Sequence, residues 1–401
     1  MAATDEQPAR HERHPQRPSF LLVASITITG ITVNSLLTPS LPEILDGLEA
    51  SRRLAGLVLA GATAPGIVLA PVIGVLADRY GRREIVVPCL VLYGLAGGLA
   101  GLSPTLTVLV ALRVVQGAGS AGLINLAVVI IGDHWDGTQR ARLIGRNAAV
   151  LTVTLALVPP VGGTLVDLAG WRAPFALYPL ALITAAAAWR GLPSTETRDE
   201  TVAQQLAAAA PYLRTRMVRG VLAVGVVLFV LIFGLSLTVL PIYAEEGFGL
   251  TPSQRGLLLA LPAVTSTVAA LLLGRLHQRF VGRRVIVAGA ALFPVAYAGV
   301  AWAPSLPYLV AAVLVVGAGE GLLIPGLQDV ATSVAPAASR GTVVALWVGA
   351  ARLGQTIGPV VSGYAAGTVG SPATFAVGAA VAATMPFALA AALQSDREAV
   401  A

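Results

Sequence analysis

Lysine is missing from this 401-residue chain, cysteine occurs once, and only 11% of the residues are charged. Each shortage excludes something. A soluble protein covers its surface with about a quarter charged residues. A chain with so few charges, 56% hydrophobic residues and a mean hydropathy of +0.80 must be solvated largely by lipid. Cys89 alone can close no intramolecular disulfide and has no thiol partner for a metal, so it reads as a packing residue. Four histidines (His11 and His14 near the N-terminus, His134 and His277 in loops) give no metal-ligand spacing. No Ser-His-Asp signature and no GxxxxGK[ST] phosphate loop is present. The chain therefore reads as no enzyme, holds no cofactor or metal, and would need a separate subunit for ATP-driven work. Aromatics make up only 5%. Phe229, Phe233, Tyr297 and Trp347 are the stacking candidates, with packing as the alternative for each.

What the chain has in abundance is apolar length. A span needs about 20 mainly apolar residues. Twelve runs qualify: 20–38, 54–77, 85–102, 105–131, 144–168, 173–193, 219–241, 256–274, 285–303, 308–334, 342–367 and 372–393. They are too long and too uniformly apolar for the alternating strands of a barrel. The expected fold is an all-α integral membrane protein of 12 transmembrane helices. Its parts are a tail (1–19), a six-helix bundle (20–193), a linker (194–218), a second six-helix bundle (219–393) and a tail (394–401). Gln204 to Ala210 in the linker suggests a short amphipathic helix, against a plain linker. One chain supplies both bundles, so a monomer is expected.

The net charge of +6 invites a nucleic-acid reading, which position argues against. All 26 basic residues are Arg. With the N-terminus cytoplasmic, 20 of them lie on the cytoplasmic side and two, Arg113 and Arg352, lie within spans. Only Arg52, Arg53, Arg172 and Arg255 lie outside. That bias follows the positive-inside rule, so both termini are expected in the cytoplasm and the protein in the plasma (inner) membrane. Residues 1–19 lack the apolar core of a signal peptide.

The two halves repeat. Gly74-Val75-Leu76-Ala77-Asp78-Arg79-Tyr80-Gly81-Arg82-Arg83 recurs, weakened, as Gly274-Arg275-Leu276-His277-Gln278-Arg279-Phe280-Val281-Gly282-Arg283-Arg284, 200 residues on. Gly117-Ala118-Gly119 matches Gly317-Ala318-Gly319, and Arg140, Pro159 and Gly163 match Arg340, Pro359 and Gly363 in the same register. A charged, glycine-punctuated turn between membrane-length runs, repeated once per half, points to a duplicated membrane transporter.

These motifs resemble the major facilitator superfamily, and within it the 12-helix drug:proton antiporters, over nearly the whole chain. Gly74 to Arg83 matches the signature loop between helices two and three. Leu109-x3-Arg113-x2-Gln116-Gly117-x-Gly119 matches the helix-four motif. Pro159-Pro160-Val161-Gly162-Gly163 resembles the helix-five antiporter motif, with Val158-Pro159 where that motif has Gly-Pro. Gly358-Pro359 in helix eleven keeps Gly-Pro. The resemblance implies two pseudo-symmetric bundles rocking about a midplane site. It also implies a cytoplasmic latch made by Gly74, Asp78, Arg79, Gly81, Arg82 and Arg83, and a role for Arg113 in proton coupling.

Glu320 is the one acid deep in a span, and a carboxylate there is costly unless paired, protonated or hydrated. Two readings stand: a proton carrier, or a fixed ion pair with Arg352 at similar depth. Helix one carries no acid, which leaves neutral or anionic substrates open. Asn34, Gln116, Asn125 and Gln355, with Phe233, are candidates to line a substrate cavity. Helix–helix hydrogen bonding is the alternative for the polar ones. The leading expectation is a secondary active exporter of drug-like small molecules that exchanges them for protons. The competing ones are a facilitator or importer of a sugar or metabolite, and a non-transporting membrane sensor.

Overall fold

The computed structural model describes residues 17–193, 215–279, 282–333 and 340–398, and every regular element among them is helical. Eleven of these helices are long and apolar enough to cross a membrane. In chain order they are α1 (Phe20–Gly47), α2 (Arg52–Tyr80), α3 (Arg82–Ala100), α4 (Leu106–His134), α5 (Gly137–Ala169), α7 (Arg216–Phe248), α8 (Pro252–Leu272, helical to Arg279), α9 (Arg283–Ala301), α10 (Leu306–Ala331), α11 (Val343–Val369) and α12 (Ser371–Leu393). Between α5 and α7, the run expected at 173–193 opens as a 3-10 turn, Ala173–Leu177, and continues as the shorter α6, Leu180–Gly191. Pro179 has no N–H to donate to the Phe175 carbonyl four residues back, and Tyr178 N–H takes that carbonyl in a 3-10 turn instead. The two pieces together reach about 28 Å, close to a bilayer core.

Helix ends follow local chemistry. Ser19 caps α1, its hydroxyl accepting from the Leu22 N–H at 3.2 Å. Gly81, at φ 102°, separates α2 from α3 in a conformation that a residue with a Cβ rarely adopts. Helix α7 contains a π-helical stretch, Ile232–Val239. Several boundaries move from their expected places: α1 runs to Gly47 rather than 38, and so takes in the acids Glu43 and Asp46 that the expected helix one lacked, α5 begins at Gly137 rather than 144, and α7 ends at Phe248 rather than 241. Helix α7 begins at Arg216 rather than 219. The helical backbone of α12 runs on to Glu398, past 393, with no Gly or Pro to stop it. The suggested helix at 204–210 lies outside the described residues.

The buried apolar residues form one large cluster from Leu22 to Leu192 and another from Met217 to Leu393. Their internal packing repeats with the period of the sequence. Gly117 of α4 lies against Ala62 of α2, and Gly317 of α10 against Pro262 of α8. Gly119 lies against Cys89 and Tyr93 of α3, and Gly319 against Gly289 and Phe293 of α9. Each contact and its copy stand 200 residues apart, so the duplication is structural as well as textual. The halves meet along two seams, α2 with α11 and α5 with α8. The seams repeat too: Gly56 abuts the Pro359 carbonyl and Gly256 the Pro159 carbonyl. A third, small cluster of Leu45, Ala55 and Ile242 joins the halves at one end of the molecule.

Candidate functional site

Arg113 is fully buried in the first half. Its guanidinium donates to the Val58 carbonyl (3.2 Å), Gln116 Oε1 (2.6 Å), the Val33 carbonyl (2.7 Å) and Asn34 Oδ1 (2.5 Å). The Val33 carbonyl is available because α1 tightens here: Leu37 N–H turns to Asn34 instead. The same carbonyl also accepts from the Tyr178 hydroxyl at 2.9 Å. Among the described residues no carboxylate pairs with Arg113. Asn34 and Gln116, expected along a cavity, are instead buried at its side, because a guanidinium removed from water needs acceptors on every face. The buried Nδ2 of Asn34 and Nε2 of Gln116, with the Tyr93 hydroxyl, meet no hydrogen-bond partner among the described residues.

Glu320 is half-buried on α10. The flanking glycines fix the helix: Gly317 and Gly321 pack on α8 and Gly319 on α9. The Glu320 carboxylate enters no ion pair with any of the described residues. The alternative of a bridge to Arg352 is not formed. Arg352 donates to Gln355 Oε1 at 3.3 Å and to the Ala121 carbonyl of α4, in the other half, at 3.5 Å. It packs on Gly66 of α2. Gln355 is thus tied to the seam, its carbonyl accepting from Thr63 at 3.1 Å. Phe233 packs beside Phe229, which stands edge-on to Trp347 at 6.0 Å.

The 74–83 loop is braced within its own half. Arg82 pairs with Asp78 at 2.6 Å and with Asp133 of α4 at 2.9 Å. Arg83 pairs with Glu84 at 3.0 Å and lies over Trp189, and Arg79 lies over Tyr80. Gly74, Asp78, Arg82 and Asn125 border a cavity of about 80 Å³, so Asn125 belongs to this loop and not to the midplane. The antiporter-like residues lie on the seams: Gly163 meets Pro252 of α8, Gly162 meets the Leu36 carbonyl and Gly358 meets Val230 of α7.

The opposite end carries a charge cluster that sequence reasoning missed. Arg255 of α8, fully buried, pairs across the halves with Glu43 and lies 3.7 Å from Glu245. Arg52 of α2 reaches Asp46 at 3.1 Å in its own half and Glu245 at 3.2 Å in the other. Asp167 of α5 accepts from the Ser253 N–H at 3.1 Å, capping α8. The signal available beforehand was that Arg52 and Arg255 sit on the side where the charge bias disfavours Arg. We call this the sealed end. Among the described residues no group of His, Cys, Asp and Glu could hold a metal ion.

Comparison with known proteins places this geometry. The family model described as Major Facilitator Superfamily matches residues 23–251 and again 222–400. The bacillibactin exporter of Bacillus subtilis (strain 168) is 25% identical over 86% of this chain and 88% of its own. The class C tetracycline resistance protein of Escherichia coli is 27% identical over 77% and 79%. Among solved structures, a bacterial homologue of the human lysosomal transporter Spinster, inward-facing and unoccupied, superposes with a TM-score of 0.79 at 18% identity, covering 94% of this chain and 97% of that one. A D-xylose–proton symporter gives 0.71 at 19% identity, covering 91% and 96%.

Proposed function

The chain belongs to the Major Facilitator Superfamily, a family of transporters and not of enzymes, and from that premise we propose that it exports drug-like small molecules in exchange for protons. One observation carries the proton half of the reading. Glu320 is a carboxylate in the middle of a membrane-spanning helix, half-buried and held in no ion pair among the described residues, so it is free to change protonation as its surroundings change. The export half is supported by relatives named for efflux and antibiotic resistance. With both termini cytoplasmic, as the arginine distribution argues, the sealed end faces outward. The two bundles then alternate about the α2–α11 and α5–α8 seams. Opening the sealed end breaks the Arg255–Glu43 and Arg52–Glu245 pairs, and closing the other end brings α11 towards Asp78. Arg113, bonded to α1, α2 and α4 at once, keeps the first bundle rigid through this motion. The working unit is a monomer in the plasma membrane.

The test is proton flux in proteoliposomes under an imposed pH gradient, with lipophilic cations, neutral antibiotics and sugars offered in turn. Substrate-triggered proton movement in the native protein, lost in Glu320→Gln, is the expected result. Substrate equilibration without any proton signal would make the protein a facilitator and Glu320 a structural residue.

A further inference from the structure

Beside the sealed end, α2 and α11 leave a crevice of about 300 Å³ lined by Arg53, Leu54, Leu57, Val360, Val361 and Tyr364. Its walls belong to both halves. It opens on the outer flank of the seam: Leu54, Val361 and Tyr364 are 39%, 57% and 59% exposed, while Ala55, Val58 and Leu59, on the opposite side of α2, are wholly buried. In a chain solvated by lipid, large apolar side chains exposed on this flank face acyl chains. The one charge on the rim is Arg53. Its Nε donates to the Gly367 carbonyl at 3.1 Å, which anchors the planar head. Among the described residues its two terminal nitrogens meet no acceptor and it forms no ion pair. Every other arginine at this end is occupied. Arg52 and Arg255 hold carboxylates. Arg172 stacks on Trp171 at 4.1 Å and donates to the Ser103 carbonyl. The charge bias makes any arginine here an exception, and of the four Arg53 is the one whose two terminal nitrogens both lack an acceptor among the described residues.

We propose that this crevice is a binding site for a bilayer phospholipid with an anionic headgroup, its phosphate on Arg53 and one acyl chain between α2 and α11. A guanidinium with two free parallel N–H groups matches phosphate geometry. The apolar walls offer an acyl chain a bed and offer a polar solute nothing. A lipid seated there touches the first half through α2 and the second through α11, so it clasps the two together and favours the sealed end. The site is independent of what the transporter carries.

Native mass spectrometry of the full chain tests it, with phosphatidylglycerol and phosphatidylcholine of the same acyl chains added in turn. The native protein is expected to retain one phosphatidylglycerol in preference to phosphatidylcholine. Arg53→Gln should weaken that adduct about tenfold, to the phosphatidylcholine level, as loss of charge-assisted hydrogen bonds requires. Val361→Trp fills the crevice and leaves Arg53 and its Gly367 bond alone. It should lower retention of both lipids, which guards against Arg53→Gln acting through misfolding. Glycerol phosphate, which lacks acyl chains, should not displace the adduct. Equal retention of the two lipids by the native protein, unchanged phosphatidylglycerol binding in both variants, or displacement by glycerol phosphate would each overturn the proposal.

Discussion

Arg113 is a fully buried cation with no carboxylate partner among the described residues, held by two backbone carbonyls and two side-chain amides. Removing it relieves a buried charge but takes the donor from the Val58 carbonyl, Gln116 Oε1 and Asn34 Oδ1, the Val33 carbonyl keeping Tyr178, and a buried acceptor left unpaired costs about 1–3 kcal/mol. The acceptors should win. Arg113→Ala is expected to lose at least about 3 kcal/mol. Arg113→Lys should rescue little of it, because an ammonium cannot span acceptors on three helices as a planar fork does. Thermal unfolding read by a thiol-reactive dye on Cys89, the chain's single cysteine, would measure both. Equal stability of native protein and Arg113→Ala would mean that the shell is incidental. At this scale the sequence was half legible. A charge inside an apolar run stands out by itself, so Arg113, Glu320 and Arg352 were visible. Their partners were not. The Val33 carbonyl that receives Arg113 is freed only by the tightened end of α1, and Arg352 turns to Ala121 of α4 although Glu320 is the nearer acid by depth.

Helices were the most legible level, because a membrane-length apolar run carries its own evidence. Only α6, broken at Pro179, fell short of its expected form. The 200-residue register, read first as matching letters, returns as matching contacts at Gly117 and Gly317, Gly119 and Gly319, Gly56 and Gly256. The seam glycines yield a prediction. A Cβ on Gly56 would meet the Pro359 carbonyl, and one on Gly256 the Pro159 carbonyl. Backbone cannot step aside as a flexible side chain can. Gly56→Val and Gly256→Val should therefore hinder sealing while each half's own core stays intact. The expected result is normal expression and thermal stability with transport lowered by tenfold or more, about 1.4 kcal/mol against one of two states. Gly74 is the complementary case. A Cβ there meets nothing within 4 Å in this conformation. If the 74–83 loop receives α11 when its end closes, Gly74→Leu should spare stability and still depress transport. Full transport in that variant would remove the latch role of the loop.

For the molecule as a whole, the question is what holds one end shut. At the sealed end two arginines meet four carboxylates, Glu43, Asp46, Glu245 and Glu246, supplied by both halves. Arg255 is the keystone, being buried between Glu43 of α1 and Glu245 of α7. Such long-range pairs leave no local mark in a sequence, so this level was the least legible. The two-bundle plan could be read in advance, but not which end would be shut. Arg255→Gln leaves Glu43 without its cation and Glu245 with Arg52 alone. Breaking a buried pair can cost about 3–5 kcal/mol. Here both carboxylates are about 30% exposed, so about 1–2 kcal/mol is the reasonable share. That is enough to move a balanced two-state equilibrium roughly tenfold towards opening at this end. Spin labels placed at Leu48 and Gly247 in a Cys89→Ser background would report it as a longer distance between the halves. High salt should lengthen the native distance only slightly, since Arg255 is buried from ions. Exchanging the charges, Glu43→Arg with Arg255→Glu, should restore part of the short distance that either single reversal abolishes. If Arg255→Gln leaves the distance distribution unchanged, the apolar contacts of Leu45, Ala55 and Ile242 hold this end, and the ion pairs only decorate it.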